Sequence, residues 1–154
     1  MRRTRFDDWD CPIARVTDLF GDWWTPLVLR DAFSGARRFE QFQRNLGIPR
    51  AVLTARLERL VADGLMEKRR YEEHPPRDEY RLTAKGIAAW DVLAAMWRFG
   101  SDWFWEGEGE APPLRLVDAE TGAEIRPRVV DETTGAPVDV RRTRVKNARS
   151  VRPV

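Results

Sequence analysis

One cysteine and one histidine are present in 154 residues, and that scarcity excludes a good deal. A single thiol cannot staple a monomer, so any disulfide would join two chains, and a Cys/His zinc site has too few ligands to draw on. The histidine, His74, sits beside two prolines and far along the chain from Cys11. No Cys/His/Asp constellation for nucleophilic catalysis is evident, and no Gly-rich phosphate loop follows a strand. The expectation is a chain with no catalytic residues, no cofactor and no metal. Also missing is any apolar run approaching the roughly 20 residues that span a bilayer. Met1-Arg2-Arg3-Thr4-Arg5 leads into Asp7, Asp8 and Asp10 rather than into an apolar signal core, so no membrane partner is expected and a cytoplasmic location is. A large excess of one charge is lacking too. With 27 Lys and Arg against 25 Asp and Glu the net charge is +2, and binding to a polyanion would require charge to be segregated locally.

Against these absences stands one stretch around which the chain is organised, Gly47 to Gly64. Leu53, Leu57, Leu60 and Val61 recur at i, i+4, i+7 and i+8, which predicts a helix of about four turns with one face committed to a core. Arg50, Thr54, Arg56, Glu58 and Arg59 occupy its other faces. Pro49 suits the first helical turn, where no N–H is needed, and Gly64 suits a left-handed C-terminal cap. Phe39, Phe42 and Leu46 predict a shorter helix just upstream, and Leu46-Gly47-Ile48-Pro49 leaves only a tight turn between the two. The pair reads as helix-turn-helix. Leu65–Tyr71 and Asp78–Leu82 are then two strand candidates around the polar, Pro-rich connection Glu72–Arg77. A hairpin directly after the second helix is a wing. Such a unit places its second helix in the DNA major groove and its hairpin tip near phosphates or the minor groove. Charge follows that geometry, since Arg37 to Arg81 holds eleven basic residues and eight acidic ones.

Several motifs in order now carry a resemblance. They are Cys11-Pro12-Ile13-Ala14-Arg15, Gly21-Asp22-Trp23-Trp24-Thr25, Arg38-Phe39-Glu40-Gln41-Phe42, Gly47 to Leu53 with Arg56-Leu57, and Tyr80-Arg81-Leu82-Thr83-Ala84-Lys85-Gly86. Together they resemble the HxlR-type family of bacterial winged-helix transcriptional regulators, from about Cys11 to Trp105 without a break. The resemblance implies a homodimer that binds double-stranded operator DNA, associated with the nucleoid. The candidate DNA contacts are Arg38, Pro49, Arg50, Ala51, Thr54, Arg56, Arg59, Arg70, His74 and Arg77. Arg50 is assigned to a guanine edge and Ala51 or Thr54 to bases or phosphate. Arg56 and Arg59 are assigned to phosphate clamps or internal salt bridges, and Arg70 and Arg77 to the wing. For any one arginine, a solvated face is the plainer account. The rival function is a winged-helix dimer that serves as a protein-interaction module. The two are distinguished by whether Arg50, Arg56, Arg70 and Arg77 share one side of the dimer, with recognition helices about 34 Å apart.

Cys11 precedes the helix suggested by Ala14, Val16, Leu19 and Phe20. A thiol there can be activated by unpaired helix N–H groups, and some members of the family resembled sense oxidants or electrophiles through a cysteine at this position. A small buried apolar residue is the preferred alternative, because no resolving thiol exists within the chain. Thr25 and Pro26 predict the cap and first residue of the next helix, ended by Ser34-Gly35, with Leu27, Leu29 and Phe33 in the core. Trp23 or Trp24 is expected to plug the core or line a small-molecule effector pocket. Thr83 caps a predicted long helix from Ala84 to Trp105 with two apolar stripes, one through Trp90, Leu93 and Trp97, the other through Met96 and Trp103. A helix apolar on so much of its circumference buries two sides, and Trp90, Leu93, Met96, Trp97 and Trp103 are the dimerisation candidates.

The predicted fold is mainly α with a small β wing, a long C-terminal dimerisation helix and a small β-rich extension. Residues 1–105 form the DNA-binding and dimerisation domain, and 106–113 an acidic Gly/Pro linker. Residues 114–140 contain an internal repeat, Val117-Asp118-Ala119-Glu120-Thr121-Gly122-Ala123 returning as Val130-Asp131-Glu132-Thr133-Thr134-Gly135-Ala136. A hairpin or small meander is expected there. Longer members of the family resembled often carry paired cysteines in such knuckles. This chain has Asp118, Thr121, Asp131 and Thr134 in those places, which argues against zinc. Residues 141–154 are a basic tail without an acidic residue, either a solubilising segment or an auxiliary phosphate-binding arm.

Overall fold

Leu53, Leu57 and Leu60, the stripe that predicted the central helix, have no solvent exposure. A computed structural model of the chain describes residue 6, residues 8–105 and residues 112–145. In chain order the elements are α1 (Pro12–Phe20), α2 (Thr25–Phe33), α3 (Phe39–Leu46), α4 (Arg50–Ala62), β1 (Met66–Glu73), β2 (Pro76–Leu82), α5 (Ala84–Ala88) and α6 (Trp90–Trp103), with a 3-10 turn at Val140–Arg142. They divide into two units, Met1–Trp90 and Asp91–Val154.

In the first unit Phe42 of α3, Val28 and Leu29 of α2, and Ile48 of the turn join the leucines of α4 in the core. Gly47, at φ +62°, lets the chain leave α3 and enter α4 within a few residues. α4 ends as Gly64 predicts. At φ +74° its N–H bonds to the carbonyl of Val61, and the Leu65 N–H bonds to that of Leu60 at 2.9 Å. This paired closure also buries Leu65 beside the helix end. α2 departs from expectation in its cap. Asp22, rather than Thr25, accepts from the N–H groups of Trp24 and Thr25, at 2.9 Å each, and from the Thr25 hydroxyl. Val28 takes the core position expected of Leu27, which is 36% exposed. Of the two indoles, Trp24 is partly buried and Trp23 is exposed.

The predicted helix from Ala84 to Trp105 is interrupted at Ala89, whose N–H reaches the Gly86 carbonyl at 3.2 Å in a tightened last turn. Two anchors flank the break. Gly86 is pressed against the Leu65 backbone, and the Trp90 ring packs on Phe33 with centroids 5.1 Å apart. Thr83 caps α5 as expected, accepting from the Gly86 N–H at 3.1 Å.

The second unit groups α6 with the C-terminal extension, so the division falls at Trp90 rather than after Trp105. The Arg98 guanidinium donates to the Pro127 carbonyl at 3.0 Å, and Arg126 pairs with Asp102 at 3.2 Å. The repeat is reproduced in geometry. The Asp118 carboxylate accepts from the N–H groups of Thr121 and Glu120, and Asp131 does the same with Thr134 and Thr133. These bonds, those from Thr121 and Thr134 foremost, hold both carboxyls below the usual carboxylate range. The expected hairpin is not formed. Each knuckle closes on one antiparallel bridge, Val117 to Glu124 and Val130 to Pro137, and the flanking residues are too exposed to bury a sheet face. Residues 106–111 of the linker and 146–154 of the basic tail lie outside the described residues.

Candidate nucleic-acid interface

The stripe that buries Leu53, Leu57 and Leu60 turns the opposite face of α4 outward. Pro49, Arg50, Ala51 and Thr54 are all exposed at its N-terminal end, where the first N–H groups favour a phosphate. Arg50 is held over the Phe39 ring at 4.7 Å, which orients its guanidinium before any partner arrives. The Thr54 hydroxyl donates to the Arg50 carbonyl at 3.0 Å.

β1 and β2 pair antiparallel from Met66–Leu82 out to Glu73–Pro76. The wing is thus longer than the sequence suggested, with only His74 and Pro75 at its tip. A register shift between Arg70 and Glu72 leaves Tyr71 without a partner across the hairpin. The Arg38 guanidinium lies over that Tyr71 ring at 4.5 Å. The segment before α3 is stitched to β2 as well, since Tyr80 N–H bonds to the Arg37 carbonyl at 2.7 Å and Arg38 bridges to Glu79. These contacts place the start of α3, the start of α4 and the wing around one cleft of about 680 Å³. Its walls include Arg38, Arg44, Arg50, Lys68 and Arg77 against Glu40 and Asp78.

Of the sequence-predicted DNA contacts, Arg38, Arg50 and Arg77 line this cleft. Arg70 lies beside it, bonded to the cleft residue Asp78 at 3.2 Å, and His74 is exposed at the tip. Arg56 does not join them. Its guanidinium faces Asp22, the residue that caps α2, at 3.3 Å, so it is an internal tie between two helices. Arg59 pairs with Asp63 at 2.5 Å. The salt-bridge alternative therefore describes both. Sequence reasoning missed Arg44, which lies on α3 on the side away from buried Phe42. It also passed over Tyr71, whose role depends on a bulge that no residue pattern announced.

The dimerisation candidates separate in the same way. Leu93 is buried and Trp90 is engaged with Phe33. Trp97 lines a hollow of about 280 Å³ against the extension, with Pro112, Leu116 and Ile125. Neither Trp90, Leu93 nor Trp97 is therefore on an open face of α6. Met96 and Trp103 are, along with Phe99 and Phe104. Cys11, expected to be a small buried apolar residue, is exposed at the start of α1, which argues against that packing role. Among the described residues no group of His, Cys, Asp and Glu is placed to hold a metal, and no helix is long and apolar enough to cross a membrane.

A helix-turn-helix with an adjoining two-stranded wing defines the chain as a winged-helix protein. Residues 19–108 match the HxlR-like helix-turn-helix family, and the chain belongs to that family of transcriptional regulators rather than to an enzyme family. Among relatives, the HTH-type transcriptional regulator Rv3095 of Mycobacterium tuberculosis is 38% identical over 129 residues, covering 84% of this chain and 80% of its own length. The HTH-type regulator sll1512 of Synechocystis is 46% identical over 111 residues, 71% of this chain and 80% of that one. The crystal structure of the transcription-factor candidate PA1607 superposes with a TM-score of 0.83 at 38% identity, over 93% of this chain and 99% of the other. The redox regulator HypR in its reduced form matches 60% of this chain and 92% of its own, at 29% identity and TM-score 0.57.

Proposed function

We propose that the chain binds specific operator DNA as a homodimer, with α4 in the major groove and the wing over the adjacent backbone. The observation that carries this reading is the cleft where Arg38, Arg44, Arg50, Lys68 and Arg77 converge beside the exposed first turns of α4. Arg50 is pre-oriented for a base edge, while Ala51 and Thr54 stand next to it on the open face. Arg56 and Arg59 drop out as direct contacts because neither lines the cleft. The test is titration of labelled DNA from the region upstream of the gene over a salt series. A dimer that neutralises several phosphates per half-site should give a slope of log K against log[salt] of roughly −5 to −9. Arg77→Ala should make it shallower by about one for each copy, whereas Arg50→Ala should cost about 1–3 kcal/mol per half-site and relax the preference for operator over other DNA. A slope near zero would sink the interface.

Exposure of Cys11 at the start of α1 supports a second element of the reading, that the regulator responds to oxidants or electrophiles. With one thiol per chain, the product is an adduct or a disulfide between two subunits. Peroxide or a quinone should weaken DNA binding by the parent and leave Cys11→Ala unaffected. An equal response from both proteins would rule Cys11 out as the sensor. For a small-molecule effector, the supporting feature is the hollow beside Trp97, where an aromatic ligand would quench indole fluorescence.

A further inference from the structure

A hairpin that meets phosphates is expected to carry a surplus of positive charge, and this wing has none. Between Met66 and Leu82 five basic residues face five acidic ones, and each cation is paired inside the hairpin. Arg69 meets Glu67 at 2.6 Å, Arg77 meets Glu72 at 3.4 Å, and Arg81 meets Glu79 at 2.6 Å. Asp78 differs from the other acids in gripping two cations at once. One carboxylate oxygen lies 3.1 Å from Lys68 Nζ and the other 3.2 Å from Arg70 Nε. The strand register sets this up by placing Asp78 opposite Arg70. Its side chain is 23% exposed, and it lines the same cleft as Arg38, Arg44, Arg50 and Arg77. The bond to Lys68 foremost, and then that to Arg70, lowers the affinity of Asp78 for a proton, while Lys68 holds its own more tightly.

We propose that Asp78 is an affinity brake, a carboxylate occupying between Lys68 and Arg70 the place that a DNA phosphate would take. The inference rests on the reading that the wing meets DNA. Two oxygens of a carboxylate and two of a phosphate present the same acceptors to a lysine and an arginine. Binding is therefore an exchange, in which DNA displaces the internal anion and then lies close to its charge. Exposed pairs of this kind hold by up to about a factor of five each, so the exchange is feasible but costs affinity. DNA held only through its phosphates is bound weakly as a result, and base contacts from α4 are needed for tight binding.

The test is a two-way substitution cycle on the full chain, using a mixed-sequence duplex of about 30 base pairs as the probe and a salt series as the variable. Asp78→Asn keeps the shape and removes the charge. It should bind about three- to tenfold tighter than the parent, with a salt slope steeper by about one to two. Asp78→Ser should behave alike, which guards against an effect peculiar to asparagine. On a Lys68→Gln, Arg70→Gln background the Asp78→Asn gain should shrink below about twofold, because the cations it released are gone. A folded Asp78→Asn protein that binds like the parent would overturn the brake while leaving the DNA interface standing. An undiminished gain on the double-substituted background would also overturn it, since removing any nearby negative charge would then suffice. A parent with no salt-dependent binding would overturn both readings.

Discussion

Gly86→Ala is expected to lower stability by about 3 kcal/mol, a fall of roughly 6–12 °C in Tm for a chain of this size. A Cβ built on Gly86 would stand 2.0 Å from the Leu65 carbonyl oxygen and 3.0 Å from its carbon. Those are backbone atoms of a buried residue, and they cannot swing aside as a side chain would. The Leu65 carbonyl also accepts the Thr83 N–H at 3.0 Å, the Thr83 hydroxyl donates to the Gly64 carbonyl at 2.6 Å, and Lys85 donates to that of Asp63 at 2.6 Å. Moving α5 outward would strain or break this set, which ties the end of α4 and the base of the wing to α5. Gly64→Ala is the comparison. Its Cβ would meet nothing within 4 Å, so only the left-handed backbone opposes it, at about 1–2 kcal/mol. Thermal melts of both variants check the ordering. A Gly86→Ala protein as stable as the parent would show that α5 is not docked against Leu65.

How much was legible in the sequence follows from the range of the forces involved. The stripe Leu53, Leu57 and Leu60, the cap at Gly64 and the Thr83 cap depend on residues within a few positions of each other, and all are found where expected. The exposed end of α4 was readable for the same reason, since burying one face of a helix displays the other. The fate of Arg56 was not, because its partner Asp22 lies 34 positions earlier and periodicity carries no information about it. Tyr71 beneath Arg38 needed the bulge, and the bulge is a property of how two strands meet. Two stripes on α6 were visible as a pattern, yet the pattern does not say which stripe stays open. The repeat was recognised while its structure was not. The turn chemistry of Asp118 and Asp131 is local, whereas a sheet needs a buried face that the exposed flanks do not provide.

Met96→Asp with Phe99→Asp is expected to convert the proposed dimer to monomer and to weaken operator binding by at least about a hundredfold. Met96 is 48% exposed, Phe99 60%, Trp103 66% and Phe104 72%, and Val92, Met96, Phe99 and Phe104 border an apolar groove of about 450 Å³ on α6. Phe99 and Phe104 meet edge to face at 6.0 Å, so the surface is a joined aromatic patch rather than scattered side chains. A patch of this kind is a place for a partner surface, and a closed two-fold contact would present it to its own copy. Aspartate at two positions would place charges in a groove lined by Val92, Ala95, Met96, Phe99, Gly100 and Phe104, at a desolvation cost that an association of modest strength cannot offset. The loss of DNA affinity follows from linkage. Two half-sites held by one dimer gain about 10²–10⁴ over a single engagement, and a monomer forfeits that gain although its cleft is untouched. Sedimentation equilibrium and operator titration on the same preparations check both parts. Leu93→Asp is not an equivalent test, because Leu93 is buried and its loss would be read as unfolding. A doubly substituted protein that still sediments as a dimer would move the subunit contact elsewhere, and α1 would be the next face to examine, with Ile13 at 78% and Val16 at 42% exposure.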